Sequence, residues 1–142
     1  MRNVNQILEG KAARVVSVPR DTPVLDVIRL MAEHHIGSVL IVQDGQLVGI
    51  ATERDYARKV ILQGRSSSDT PINQIMSAPV TCVTPDHTVQ DCMEIMTDRH
   101  VRHLPVKDGG TVVGMISIGD LVKAVIEDQQ QEISQLQQYI AG

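Results

Sequence analysis

Phenylalanine and tryptophan are missing altogether, and Tyr56 and Tyr139 are the only aromatic side chains in 142 residues. Without rings on which bases can stack, the chain lacks the platform that holds single-stranded nucleic acid. A basic patch is missing as well. The 13 Lys and Arg against 17 Asp and Glu leave a formal net charge of −4, which gives no general attraction to a phosphate backbone, so nucleic acid is not an expected partner. No apolar run approaches the ~20 residues needed to span a bilayer, and the N-terminus carries no basic segment followed by an apolar one. A cytoplasmic protein without membrane attachment is therefore expected. Cysteine is scarce: Cys82 and Cys92 stand without a second thiol pair or a His at metal-ligand spacing. Both are read as buried, reduced structural thiols, and no metal site is expected.

What the chain does have is a copy of itself. Shifted by 65 positions, residues 15–61 align without a gap on residues 80–126, keeping Val18/Val83, Asp21/Asp86, Met31/Met96, His35/His100, Gly49/Gly114 and Asp55/Asp120 among others. Two copies of a unit too small to bury its own apolar face normally bury it against each other. A length of 142 residues suits one domain, or two small lobes with a shared core.

Each copy opens with a β-rich run, Val15–Val18 or Val80–Val83, and a turn. Val24, Val27, Ile28 and Met31 then stand at i, i+3, i+4 and i+7, and Val89, Cys92, Met93 and Met96 repeat the stripe, which predicts a helix with one buried face. Thr88 with Asp91 three positions on resembles a capping box, and Pro23 fills the Thr88 position in the first copy. Two short apolar runs around Asp44-Gly45, and two around Asp108-Gly109-Gly110, predict hairpins, because these residues accept the positive φ of a tight turn. Further helices follow from Glu53 and Gly119. The fold class is α/β (α+β), with two β-α-β-β-α repeats.

Outside the aligned block, Asn5–Leu8 corresponds to Asn73–Met76 at a shift of 68, so each repeat owns a short lead-in helix. Repeat 1 with its lead-in spans 1–65, a polar linker 66–71, repeat 2 72–127, and a helical extension 128–142. That extension carries Ile133, Leu136 and Ile140 on one face among glutamines. It is too short to count as a coiled coil and is read as packing on the parent domain or a partner copy.

No catalytic set emerges. The five histidines lack a spaced carboxylate and nucleophile, and no Gly-rich phosphate loop occurs, so an enzyme is not expected. The feature that recurs is Gly49-Ile50-Ala51-Thr52-Glu53-Arg54-Asp55, matched by Gly114-Met115-Ile116-Ser117-Ile118-Gly119-Asp120. A strand ends in a hydroxyl residue, and a carboxylate follows three positions later on the first helical turn. Such an Asp can accept hydrogen bonds from vicinal hydroxyls while the hydroxyl residue and helix N–H groups face a phosphate. The same residues also make ordinary helix caps. Their recurrence just after Gly49 and Gly114, where a backbone or ligand can approach closely, favours a site.

The doubled Gly-x-x-Thr/Ser-x-x-Asp, the helix ends His35-Ile36-Gly37 and His100-Val101-Arg102, and the strand Leu104-Pro105-Val106 together resemble a tandem pair of CBS domains, the module named after cystathionine β-synthase. The resemblance covers about the whole chain and implies a Bateman module: two repeats packed through their sheets as a pseudo-two-fold pair, with clefts for AMP, ADP, ATP or NAD, and less readily S-adenosylmethionine. It implies that Asp55 and Asp120 hold ribose hydroxyls and that Thr52 and Ser117 meet ribose or phosphate. Val16, Ser17 and Val18, with Thr81, Cys82 and Val83, and Ile50 and Met115, would enclose adenine through main-chain contacts and aliphatic walls. Arg102 and His103 fall where the family places phosphate-binding residues. Gly37-Ser38 stands there in the first repeat, so one cleft should lack a cationic clamp unless Arg54, Arg58 or Lys59 substitutes, the last two reading more simply as solvated helix charges.

A non-enzymatic regulatory module is therefore expected, signalling nucleotide occupancy to a regulated protein that the sequence does not identify. A homodimer is expected too, from the apolar helix faces Ala57/Val60/Ile61 and Val122/Val125/Ile126. The alternative is a structural dimerisation module with vestigial clefts.

Overall fold

An apolar stripe makes a helix bury one face, but caps decide where it begins and ends. In the computed structural model, which describes residues 2–11 and 15–141, helix α2 (Val24–His34) starts behind Pro23 and helix α4 (Val89–Arg99) behind Thr88. The expected capping box is present: Thr88 Oγ1 accepts from the Asp91 N–H at 3.0 Å, and Asp91 Oδ2 accepts from the Thr88 N–H at 2.9 Å. Both helices stop in the same way. His35 (φ 54°) and His100 (φ 55°) adopt the left-handed conformation and donate their N–H groups to the carbonyls of Met31 and Met96. This C-terminal motif usually falls to Gly or Asn; here a histidine takes it at both of the helix ends expected from the sequence.

Two compact units result, Val15–Thr81 and Met1–Arg14 with Cys82–Gly142. In the first, β1 (Ser17–Val18) pairs in parallel with β2 (Ser38–Gln43), which pairs antiparallel with β3 (Gln46–Thr52) through an Asp44-Gly45 turn with φ of 52° and 77°. Helix α3 (Glu53–Tyr56) follows and widens into a π-helical turn over Ala57–Ile61. In the second, β4 (His103–Asp108) and β5 (Thr111–Ser117) form the matching hairpin around Gly109-Gly110. Its opening strand shrinks to a single parallel bridge between Val83 and Val106. Both hairpins shift register one residue after the same repeat position, at Ile41/Val42 and at Val106/Lys107.

The units do not follow the repeats. Helix α1 (Val4–Glu9), the lead-in of repeat 1, sends Val4 and Ile7 into a core with Val89, Cys92, Met96, Leu104, Val106 and Ile116 of repeat 2. The lead-in of repeat 2, a single 3-10 turn over Ile72–Gln74, sends Ile72 and Ile75 into the core of repeat 1. Each repeat is thus completed by the other's lead-in.

This exchange accounts for two glycines. A Cβ at Gly114 would lie 2.6 Å from Leu8 Cδ2, and one at Gly49 would overlap the Met76 side chain. The close approach expected at these positions is made by a lead-in side chain. Val60, expected on an outward face, is wholly buried in the core, whereas Ile61 and Leu62 are exposed. The fifth helix, α5, runs unbroken over Ile118–Ala141, so the C-terminal extension and the second helix of repeat 2 are one element.

Candidate functional site

In the Val15–Thr81 unit, β3 ends at Thr52 and α3 begins at Glu53, so the Thr52 side chain stands at the N-cap and Asp55 at the third helical position. Thr52 Oγ1 accepts from the Asp55 N–H at 3.2 Å, and Asp55 Oδ2 receives the Thr52 N–H and hydroxyl, each at 3.1 Å. Asp55 Oδ1 receives Lys59 Nζ at 3.0 Å and Ser77 Oγ at 3.2 Å. Four donors therefore surround a carboxylate on a residue only 8% exposed. Lys59 spans the carboxylate and the Ile75 carbonyl, 3.0 Å from Nζ. The main chain of Ile50, placed by the resemblance at the adenine, is paired in both directions with Ser77.

The second unit repeats the cap but not its saturation. Ser117 Oγ accepts from the Asp120 N–H at 3.2 Å, and Asp120 Oδ2 accepts from the Ser117 N–H at 2.9 Å. Lys11 Nζ reaches the same Oδ2 at 2.8 Å and the Met115 carbonyl at 3.0 Å. Among the described residues no donor reaches Asp120 Oδ1. Burial alone works against the charge on Asp120. The hydrogen bond and attraction of the Lys11 ammonium, with the Ser117 N–H, outweigh it and hold the carboxyl below its ordinary range.

Arg102 and His103 lie at this same end of the hairpin: His103 pairs with Ser117, and the Arg102 carbonyl accepts from the Ile118 N–H at 2.9 Å. The Arg102 side chain is exposed. In the first unit Ser38 pairs with Thr52 and the Gly37 carbonyl accepts from the Glu53 N–H at 3.2 Å. The difference seen in sequence is thus placed beside the carboxylates: Arg-His in one unit, Gly-Ser in the other. Arg54 is exposed on the first turn of α3.

The residues expected to enclose adenine divide. Val18 and Val83 are buried in their cores, and both main-chain groups of Val83 bond the β4 backbone, its N–H at 2.9 Å from the Pro105 carbonyl and its carbonyl 2.8 Å from the Lys107 N–H. Val16, Thr81, Cys82 and Met115 are half-buried and Ser17 is exposed. Cys92 is fully buried, and burial pushes its thiol up to about 11, whereas Cys82, expected to be buried, is only half so. A depression of about 460 Å³ is lined by Ile28, Met31, Ala32, His35, Tyr56 and neighbours, but not by Thr52 or Asp55. The sequence reading missed Lys11 and Ser77, and it took Lys59 for a substitute phosphate contact or a solvated helix charge where the structure makes it the partner of Asp55. Lys11 meets Asp120 across 109 positions of chain, a pairing that no local pattern announces.

A family model described as the CBS domain matches the chain twice, at residues 11–61 and 72–127. The chain belongs to the CBS-domain family. This CBS pair is 44% identical over 128 residues to the mitochondrial CBS domain-containing protein CBSX3 of Arabidopsis thaliana, a match covering 86% of the chain and 62% of the plant protein's length. A solved structure of a putative signal-transduction protein with CBS domains from Burkholderia ambifaria superposes with a TM-score of 0.87 at 50% identity, covering 89% of this chain and 96% of that one. The CBS domain protein PAE2072 from Pyrobaculum aerophilum, solved in complex with AMP, superposes with a TM-score of 0.73 at 26% identity, covering 83% of this chain and 88% of that one. No helix among the described residues of this CBS pair is long and apolar enough to cross a membrane.

Proposed function

We propose that this CBS pair is a non-enzymatic regulatory module that binds an adenine nucleotide, AMP, ADP, ATP or NAD, and signals its occupancy to a regulated protein in the cytoplasm. The observation that carries the reading is the repeated hydroxyl–carboxylate pair at a strand end and helix start, Thr52/Asp55 and Ser117/Asp120, in a family with a member solved in complex with AMP. Asp120 is the more receptive of the two, since its Oδ1 lacks a donor among the described residues, whereas a diol reaching Asp55 must displace Lys59 or Ser77. Arg102 and His103 beside Ser117 supply the cationic side for phosphate, as a guanidinium with a phosphate oxygen makes a charge-assisted hydrogen bond. The ligand shifts the module between shapes only by its differential affinity for them. The module is also read as a homodimer.

A structural dimerisation module is the second reading, favoured by the fact that both carboxylates already serve as helix caps. Two measurements separate them. Thermal stabilisation by a panel of AMP, ADP, ATP, NAD and S-adenosylmethionine is expected for at least one nucleotide, about 2.7 kcal/mol at a hundredfold excess over Kd. In calorimetric titration, Arg102→Ala is expected to spare adenosine and weaken ATP about tenfold or more, consistent with roughly 1.5–3 kcal/mol for a charged hydrogen bond. No shift with any nucleotide supports the structural reading, and equal loss of adenosine and ATP removes the phosphate role of Arg102.

A further inference from the structure

Because α5 is one helix, its apolar residues can be counted past the repeat boundary. Ile126, Ile133 and Ile140 recur every seven residues, and Val122, Gln129 and Leu136 stand three positions after the same phase or four before the next. These are the a and d positions of a heptad pattern. The seam lies about 130° round the helix from the mean direction of Leu121 and Ala124, which α5 buries in its own core. Its five apolar members are between 45% and 82% exposed, and Tyr139 on its flank is 86% exposed.

We propose that this seam binds the same seam of a second copy in a parallel two-helix coiled coil, which deepens the homodimer reading above. Three observations choose that occupant. β-branched Ile fills all three a positions and Leu136 one of the three d positions, beside Val122 and Gln129, and β-branched residues at a with Leu at d favour two parallel strands. Gln129 is the single polar member of the seam, and its amide is satisfied in an apolar interface by the same amide of a copy in register, the device by which a lone polar core residue fixes alignment. α5 carries Glu127, Asp128 and Glu132 against Lys123, and with Arg2 paired to Glu127 and Asp128 the group keeps a net charge of −1, which gives no attraction to anionic lipid, while parallel pairing sets Glu132 beside the partner's Gln137, with no like charges opposed.

The area fits a weak dimer. Aliphatic side chains bury on the order of 60–120 Å² each and an aromatic 150–250 Å². Scaled by the exposures above, the seam offers roughly 300–550 Å² per copy, about 600–1,100 Å² for the pair, at or below the lower limit of a specific interface. The dimer should therefore dissociate on dilution.

Light scattering and sedimentation across a dilution series of the full chain test this. The parent is expected to shift between the 15.6 kDa monomer and a species of twice that mass. Ile133→Asp is expected to abolish the dimer while leaving circular dichroism unchanged and, at dilutions where the parent is monomeric, Tm within about 2 °C of the parent, because Ile133 packs on no core. Under mild oxidation, Gln129→Cys is expected to yield a disulfide-linked dimer that the parent and Gln131→Cys, on the opposite side of the helix, do not. A parent that stays monomeric at every concentration overturns the proposal and the homodimer reading together. A dimer that survives Ile133→Asp overturns the seam alone, and failure of Gln129→Cys to cross-link overturns its parallel register. Nucleotide binding is measured separately and bears on neither outcome.

Discussion

Replacing Asp55 by alanine should cost more stability than replacing Asp120, although both occupy the same repeat position. Asp55→Ala removes the carboxylate from four donors on a residue only 8% exposed: the Thr52 N–H and hydroxyl, Ser77 Oγ and Lys59 Nζ. Loss of an N-terminal cap costs about 1 kcal/mol, and hydrogen bonds to a charged group are worth about 1.5–3 kcal/mol where the abandoned donor stays dry. Lys59 and Ser77 can both turn towards water, which offsets much of the second contribution and leaves a net loss of about 2–3 kcal/mol. Asp120→Ala strips a carboxylate that serves one backbone N–H and Lys11 and is itself more open to solvent. About 1–1.5 kcal/mol is expected there. For a domain of this size each kcal/mol moves Tm by roughly 4 °C, so calorimetry should place Asp55→Ala about 8–12 °C below the parent and Asp120→Ala about 4–6 °C below. Asp55→Asn, which keeps an acceptor of the same shape, should fall between Asp55→Ala and the parent. If Asp120→Ala proves equally or more destabilising, the reasoning from donor saturation is refuted, and with it the view that Asp120 is the more available carboxylate.

Lys11→Met should lower stability at neutral pH and flatten its loss in acid, with a sign that follows from Asp120. A carboxyl held below its ordinary range contributes stability that is fully present above that range and lost as pH falls through its folded value; the parent should thus exceed the variant at neutral pH, with the two curves converging in strong acid, and a gap that widens on acidification would contradict this. Gly49→Ala should destabilise by about 1–3 kcal/mol through overlap with Met76, and combining it with Met76→Ala in a double-mutant cycle should recover part of the loss; strict additivity would refute the contact. In the native protein an alkylating reagent at neutral pH should modify Cys82 and spare Cys92, which is buried with its thiol pushed up to about 11; equal labelling without denaturant would refute that.

The repeat itself carried most of the fold. Stripes such as Val24/Val27/Met31 and turns such as Asp44-Gly45 are local in sequence and physical in origin, and the elements they predict are present in both copies. The exchange of lead-ins was not legible, because Asn5–Leu8 and Asn73–Met76 resemble each other whichever repeat they complete. The cap residues Thr52, Asp55, Ser117 and Asp120 were legible from spacing. Their lysine partners were not, since Lys11 reaches its carboxylate only through the tertiary fold and Lys59 reads as an ordinary exposed helix charge. The seam on α5 was half visible: Val122/Ile126 and Ile133/Leu136/Ile140 were both read as apolar faces, but with a boundary at residue 128 between them the heptad phase that joins them was not seen.

The exchange of lead-ins also sets an order in which the chain can acquire its shape. Residues 15–81 are contiguous, and everything that closes their core has left the ribosome once Ile75 has emerged. Helix α1 is made first, yet it must wait for β4 and β5, and Arg2 finds Asp128 only across 126 positions of chain. At ~5–20 residues per second, Val4, Ile7 and Leu8 stay without their core for several seconds of synthesis. A truncated product ending near residue 81 would thus hold one finished unit and one orphaned apolar helix, leaving α1 a segment that a holding chaperone can protect.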